Sequence, residues 1–288
     1  MEAKNVLITG ATGNVGYELF KKLKAIDNIN IYAAGRDISK AKEIIDDDKI
    51  NYVKLDLKDE STYTKALQDI DTVFLMRPPA ISKVKKYIHP FLLKMKEANI
   101  KQVVFLSLQG GDKNILVPHY RIERYIENLD LPHTFLRPSF FMQNLSTTHL
   151  KEIKEDNEIF IPAGQGKTNF IDVRDIAEVA KKVILEENHL EKGYELTGPD
   201  NLDYNQIAEI MSDILDEKIE YKNPSIFQFY KRKRSEGYSV LHIIVMIGLY
   251  SVTKFGLAAK KTDKLKQLLD REPISFEKFV RDNKEVWY

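Results

Sequence analysis

The sequence predicts an α/β fold, a doubly wound parallel sheet with a smaller mixed α+β lobe after it. Three observations carry that reading. An apolar run, Val6-Leu7-Ile8, turns through glycines into a segment with Val15, Leu19, Leu23 and Ile26 on one helical face. Strand-like apolar runs then alternate with helix-length segments five times over, the pattern of parallel strands joined by crossover helices. Beyond about residue 150 the alternation loosens into short strands and intervening helices.

Composition narrows the classes of function. A chain of 288 residues with 43% hydrophobic content can bury a substantial core and is not composed like a disordered protein. Lys and Arg number 44 and Asp and Glu 43, so the net charge of +1 makes no electrostatic case for nucleic acid or an anionic membrane. The absence of cysteine removes disulfides, thiolate metal sites and cysteine nucleophiles. Six scattered histidines lack metal-ligand spacing, so no metal is expected. The N-terminus shows no apolar leader, and a cytoplasmic location follows as the expectation. Leu241 to Val252 is uncharged and strongly apolar, but its twelve residues fall short of the roughly 20 needed to span a bilayer. A buried or pocket-lining helix is predicted there.

Taken in order, the opening turn reads Thr9-Gly10-Ala11-Thr12-Gly13-Asn14-Val15-Gly16. Glycine between a strand and a helix lets backbone N–H groups and the helix N-terminus approach a pyrophosphate, which a side chain would hold away. The spacing is Gly-x-x-Gly-x-x-Gly, and the plain alternative is a turn that uses glycine for geometry alone. Ile29 to Ala34 is the second strand, ending at Gly35-Arg36-Asp37. The end of that strand faces the adenosine ribose in a doubly wound sheet, and a guanidinium there grips a 2′-phosphate. Arg36 therefore favours NADP(H) over NAD(H), against the plainer reading of a solvated arginine opening a helix.

A helix from Ile38 to Asp46 precedes the third strand, Asn51 to Leu55, with Asp56-Leu57 at its carboxyl end. Asp56 is placed either to accept from an adenine amino group or to cap the next helix. The fourth strand, Thr72 to Met76, leads into Arg77-Pro78-Pro79, and one helix is predicted from Ile81 to Ala98. Gln102 to Leu106 is strand five, ending at Ser107. Leu116 to Leu129 is a helix, and Pro132 to Leu136 is strand six. Every residue singled out falls at the carboxyl edge of the sheet, where ligands of this fold class lie.

The remainder holds short strands (Glu158 to Ile161, Tyr194 to Thr197, Lys218 to Tyr221), helices from Val173 to Leu185 and Tyr204 to Leu215, and a closing helix near Ile274 to Val280. Gly164-Gln165-Gly166-Lys167-Thr168 imitates the end of a P-loop but lacks its first glycine. No Gly-x-Ser-x-Gly elbow makes Ser107 a nucleophile. The basic cluster Lys231-Arg232-Lys233-Arg234 reads as a solvated helix end. Aromatic residues between Phe227 and Phe255 are either core or the lining of an aromatic substrate site.

Four segments carry a family resemblance: Ile8 to Gly16, Leu136-Arg137-Pro138-Ser139-Phe140-Phe141-Met142-Gln143-Asn144, Phe170 to Ala177, and Tyr194 to Pro199. Together they resemble the NmrA-like branch of the atypical short-chain dehydrogenases/reductases, over essentially the whole chain and most weakly from Lys222 to Ala259. The resemblance implies an NAD(P)-binding Rossmann core over residues 1–150. It also implies a substrate-binding lobe over 151–288, packed intimately into one structural unit. By position, Gly10, Thr12, Gly13, Asn14, Val15 and Gly16 would hold the pyrophosphate, and Asp56 and Leu57 would flank adenine. Leu75, Met76 and Arg77 would line the path to the nicotinamide, Ser107 and Leu108 would lie near its ribose, and Pro138 and Phe141 near its ring.

The departure from the family concerns catalysis. Standard members carry Tyr-x-x-x-Lys one helical turn apart. With the register set by Glu123, Ile115 takes the tyrosine position and His119 the lysine position. Tyr120 and Arg124 share the spacing but point about 100° away. His119 is expected to bind the ribose or, from its ordinary pKa, to donate a proton, or else simply to line the cleft. Two functions remain. One is an NADPH-dependent reductase of a small conjugated acceptor such as a quinone, and the other a non-catalytic NADP(H) sensor acting through a protein partner.

Overall fold

The first crossover unit forms where the apolar pattern puts it. In the computed structural model, which describes residues 3–288, β1 (Lys4–Thr9) leads to α1 (Asn14–Leu23), β2 (Ile29–Gly35), α2 (Ile38–Ile45) and β3 (Asn51–Lys54). Next come α3 (Tyr63–Ala66), β4 (Thr72–Met76), α4 (Val84–Tyr87), α5 (His89–Glu97), β5 (Gln102–Leu106), α6 (Pro118–Asn128) and β6 (His133–Pro138). They are followed by β7 (Phe140–Phe141), α7 (Leu150–Asp156), β8 (Glu158–Phe160), β9 (Thr168–Ile171), α8 (Val173–Leu185) and β10 (Lys192–Leu196). The remaining elements are β11 (Asn201–Leu202), α9 (Tyr204–Leu215), β12 (Glu220–Lys222), α10 (Ile226–Ser235), α11 (Val240–Lys254), α12 (Lys264–Leu269) and α13 (Phe276–Asn283).

The chain divides into two compact units, Met1–Pro138 with Val173–Leu196, and Ser139–Asp172 with Thr197–Tyr288. The first holds a seven-stranded sheet in the order β10-β6-β5-β4-β1-β2-β3, parallel throughout. Neighbouring side chains on a strand point to opposite faces. Leu7, Val73, Leu75, Val103 and Phe105 therefore share one core with Phe91, Leu92 and Met95 of α5 and Ile122 of α6. Val6, Ile8, Phe74 and Val104 are buried on the other face. There α8 lies along α1, tied by Lys22 to Glu178 at 2.8 Å. Each such buried aliphatic or aromatic side chain stabilises by about 1.5–3 kcal/mol relative to exposure.

Four sequence expectations are corrected in this unit. The strand expected at Tyr194 to Thr197 in the second lobe is β10, which pairs with β6 from Lys192↔Thr134 to Leu196↔Pro138. The boundary expected at residue 150 is accordingly replaced. The chain leaves the sheet unit after Pro138, returns at Val173 with one more helix and strand, and leaves again after Leu196. The single helix predicted from Ile81 to Ala98 is broken into α4 and α5. Pro90 has no N–H for the Lys86 carbonyl, and its ring crowds that turn. Ile26 lies beyond α1, where its N–H bonds to the Leu23 carbonyl at 2.9 Å.

The second unit has a three-stranded sheet, β11-β9-β7, and a parallel pair, β12-β8. Its core gathers Phe170, Tyr204, Phe229, Tyr250, Phe276, Phe279 and Trp287. The closing helix, α13, packs into that core as the sequence suggests. Gly166 of the P-loop imitation is a packing residue, since a Cβ there would lie 2.9 Å from Lys254 Cα and overlap the Thr253 carbonyl.

Two expectations are refined in this unit. Helix α11, expected to be buried or pocket-lining, is not buried throughout: it covers only Ile243, Met246, Tyr250 and Thr253 and leaves its other face exposed. The cluster at Lys231 to Arg234 is not simply solvated. Arg232 pairs with Asp156 (2.6 Å), Glu158 and Glu236 (3.2 Å), and Lys233 is buried against Glu152.

Candidate functional site

The carboxyl end of β1 is locked before it turns. Thr9 Oγ1 donates to the Phe74 carbonyl (3.0 Å) and accepts from Met76 N–H (2.7 Å), holding β1 to β4. Gly10 then takes φ +63°, a left-handed conformation that side chains resist. Gly13 N–H closes the turn on the Gly10 carbonyl at 2.9 Å and caps α1 in an extended conformation without any side-chain cap. At Gly16 a Cβ would overlap the Gly10 carbonyl oxygen and sit 2.9 Å from its carbon. The helix can lie this close to the turn only because that side chain is missing. Val15 is anchored in the core, while Thr12 and Asn14 face outward. The result is an uncapped helix start at the surface, where the positive end of the helix dipole is open to an anion.

Arg36 follows β2, exposed and without an ion-pair partner among the described residues. Its neighbour Asp37 caps α2 by accepting from Lys40 N–H at 3.0 Å. Asp56 is not the cap of the next helical turn. That role belongs to Asp59, which accepts from Ser61 N–H (3.1 Å), whereas Asp56 Oδ1 accepts from Lys58 N–H (2.9 Å) and closes a local turn. Leu57 and Leu75 turn their side chains into the sheet core, so they do not line a ligand path with those side chains. Met76 and Arg77 are half-buried after β4. Arg77 Nη1 donates to the carbonyls of Pro78 (3.1 Å), Pro79 (3.2 Å) and Ile81 (2.8 Å). Its Nε is buried with no partner, and burial lowers the guanidinium below its usual range.

After β5 a buried polar group forms that the sequence only hinted at. Ser107 Oγ donates to Glu123 Oε1 (2.6 Å), and Arg137 grips the same carboxylate through Nε (3.0 Å) and Nη2 (2.7 Å). Glu123 is fully buried. Burial acts first on Arg137 and would lower it, but Glu123 and Asp112 together raise it. Glu123 was legible as a register mark, whereas Asp112, whose Oδ1 is buried and unpartnered, and Arg137 carried no local signal of this pairing. Leu108 is half-buried, and Pro138 ends β6 with its carbonyl accepting from Gln109 N–H at 2.9 Å. Phe141 belongs to the second unit, where β7 pairs with β9 through Phe141↔Ile171.

His119 sits in the first turn of α6, its ring stacked on Phe105 with centroids 6.0 Å apart. Burial, aided by the nearby Arg77 charge, pushes its pKa down to about 3, and Nδ1 is buried without a partner. The neutral ring is thereby favoured at pH 7, with one N–H to donate and one nitrogen to accept. Unfolding restores the ordinary value of about 6.5. Between pH 6.5 and 3 the unfolded chain therefore binds a proton the folded one refuses, and stability falls with pH in that window. Urea unfolding at pH 7 and pH 4 is expected to show the parent losing about 2–3 kcal/mol more than His119→Gln. Equal losses would contradict the neutral, buried ring.

The displaced Tyr120 and Arg124 are engaged with each other and the surface. The guanidinium lies 5.5 Å from the Tyr120 ring centroid and pairs with Glu127 at 2.8 Å. Ile115, at the tyrosine position of the family, precedes α6 and is exposed. The glycine turn, Arg36, Asp56, Arg77, Ser107 and Pro138 all follow carboxyl ends of parallel strands in one sheet and so share one edge.

The sequence model of the NmrA-like family matches residues 2–280. The chain belongs to the NmrA-like family. It is 28% identical to prestalk A differentiation protein A of Dictyostelium discoideum, over 96% of this chain and 92% of that protein. It is 26% identical to the NAD(P)H azoreductase of Xenophilus azovorans over 96% of each. Its fold matches the NADPH-dependent quinone oxidoreductase of Escherichia coli, solved with NADPH, with a TM-score of 0.85 at 23% identity, over 96% of this chain and 99% of that one.

Proposed function

We propose that this chain is an NADPH-dependent oxidoreductase that reduces a small conjugated acceptor such as a quinone. The observation that carries the proposal is the shared sheet edge, with its uncapped glycine turn and two buried, unpartnered atoms, Arg77 Nε and His119 Nδ1. Buried polar atoms are ordinarily satisfied, so these two suit a ligand rich in oxygen. A dinucleotide fits that donor set. Gly10, Thr12, Gly13, Asn14, Val15 and Gly16 would take the diphosphate on backbone N–H groups, and Arg36 the 2′-phosphate. Asp56 and the backbone at Leu57 would flank adenine, and the backbone at Leu75, with Met76 and Arg77, would pass the chain of the cofactor along the edge. Ser107, held by Glu123, would meet the nicotinamide ribose beside Leu108 and His119, with Pro138 at the ring.

When bound, NADPH supplies the hydride. The protein's part is to hold and orient, with His119, whose pKa burial lowers, offering a hydrogen bond from a neutral ring. Solvent then protonates the reduced acceptor. A conjugated acceptor spreads its developing negative charge, which suits a site without the family's tyrosine. The name of the azoreductase relative supports the same chemical class.

Calorimetric titration and a turnover assay test the proposal together. NADPH is expected to bind more tightly than NADH, and Arg36→Ala to lower NADPH affinity by about 10–100-fold while leaving NADH unchanged. Quinones, azo dyes or enals should then accelerate NADPH oxidation above the buffer rate. Tight NADPH binding with no acceleration across that panel would favour the second reading, a dinucleotide sensor acting through a protein partner. The missing tyrosine is what speaks for that reading.

A further inference from the structure

Helix α11 is apolar on all sides, yet only one side is covered. Leu241, Ile244, Val245 and Leu249 form an outward stripe at helical spacing, each between 44% and 57% exposed. Phe255 and Leu257 extend it at 75% and 72% exposure. Contiguous apolar surface of this kind marks a place of interaction. The helix does not need a partner to form. Ser239 caps it by accepting from His242 N–H (3.3 Å), and Tyr250 on its inner face holds His149 Nε2 at 2.5 Å.

Charge around the stripe selects the occupant. Residues 226–261 contain seven Lys or Arg and one acidic residue, Glu236, so the remainder of a chain of net charge +1 is net negative. Glu236 is already taken by Arg232 and Lys233. Lys231 and Arg234 on one flank and Lys254 on the other are exposed and pair with no carboxylate among the described residues. The overall balance conceals this asymmetry, and an argument from net charge alone misses it. Two copies meeting face to face would press basic flank against basic flank. No helix among the described residues is long and apolar enough to cross a membrane, and the 15 residues of α11 reach about 22 Å, short of the ~30 Å hydrocarbon layer.

We propose that α11 and the segment after it seat the protein on an anionic lipid surface. The apolar stripe enters the boundary between headgroups and acyl chains, and the flanking Lys and Arg heads remain among lipid phosphates and carboxylates. The proposal is independent of the reaction assigned to the sheet edge.

Co-sedimentation of the full chain with vesicles tests it. Binding is expected to phosphatidylcholine/phosphatidylserine vesicles at low salt, with a several-fold loss at high salt and little binding to phosphatidylcholine alone. Ile244→Asp combined with Leu249→Asp should lower the lipid-bound fraction about tenfold, with an unchanged circular dichroism spectrum and thermal midpoint, because both side chains are exposed. No binding to anionic vesicles, or equal binding by the double variant, would overturn the proposal. So would a wild-type dimer in solution that the double variant dissolves, which would give the face to a second copy.

Discussion

Replacing Lys233 with methionine is expected to lower the unfolding free energy of the C-terminal unit by about 3–5 kcal/mol. Lys233 is 1% exposed, with Nζ 2.5 Å from Glu152 Oε2 and 2.9 Å from Glu236 Oε2. Glu152 is equally buried and binds His149 Nδ1 at 2.6 Å through its other oxygen. A carboxylate only accepts, so the proton lies on His149 Nδ1. Burial alone would raise the Glu152 carboxyl, but the hydrogen bond and charge of His149, with Lys233, outweigh it and hold the carboxyl below its ordinary value. Methionine fills the stem's volume yet leaves that carboxylate with only its His149 bond, and a buried charge stripped of its main partner is among the costliest single defects. Pairing Lys233→Met with Glu152→Gln should recover part of the loss, since the two sites are coupled. Trp287, the one tryptophan and itself buried in this core, provides the fluorescence signal for urea unfolding. The lowered Glu152 carboxyl adds a pH signature. Its stabilisation is full above the unfolded value near 4.5 and disappears as pH falls through the lower folded one. A loss under 1 kcal/mol for the single variant would mean that Lys233 is not the counter-charge the geometry makes it.

What could be read from the sequence, and what could not, divides by the range of the interaction. Val6-Leu7-Ile8 and Val103 to Leu106 read as strands because a parallel strand buried on both faces is simply a continuous apolar run. Gly10 and Gly16 were legible for the same local reason: one needs a left-handed backbone and the other a bare helix face. Pro90 also announced the break before α5, although an apolar period spanning it hid the signal. Membership of β10 in the main sheet rests on its pairing with β6, some 60 residues earlier, and nothing in Lys192 to Leu196 states that partner. Arg232 and Lys233 are similar. Beside the local Glu236, their carboxylates lie 74 to 81 residues away, so the middle of a charge run that looks solvated is in fact an anchor. His119 shows the limit most sharply, because residue type supplies an ordinary pKa while burial and Arg77 decide the actual one. At α11 apolarity alone cannot tell a covered face from an open one.

Gly16→Val is expected to weaken NADPH binding at least about 100-fold, while Gly35→Ala, at the end of the neighbouring strand, leaves it unchanged. The contrast lies in what a new side chain would meet. At Gly16 the first added carbon falls 2.9 Å from the Gly10 carbonyl carbon and 3.0 Å from Ala11 Cα, and it overlaps the Gly10 oxygen. All three are backbone atoms of the turn itself, so no rotamer change relieves the clash. Helix α1 must back away from the strand end, which pulls Val15 and Leu19 from the core and costs about 1–3 kcal/mol of overpacking strain. The N–H groups proposed to face the diphosphate move with it. At Gly35 an added carbon meets only the Asp37 carbonyl at 3.8 Å and Ala41 Cβ at 4.0 Å, ordinary contact distances. Calorimetric titration with NADPH beside thermal unfolding separates the two effects. If Gly16→Val stays folded and binds NADPH as the parent does, the diphosphate does not rest on this turn, and the function proposed for the sheet edge fails with it.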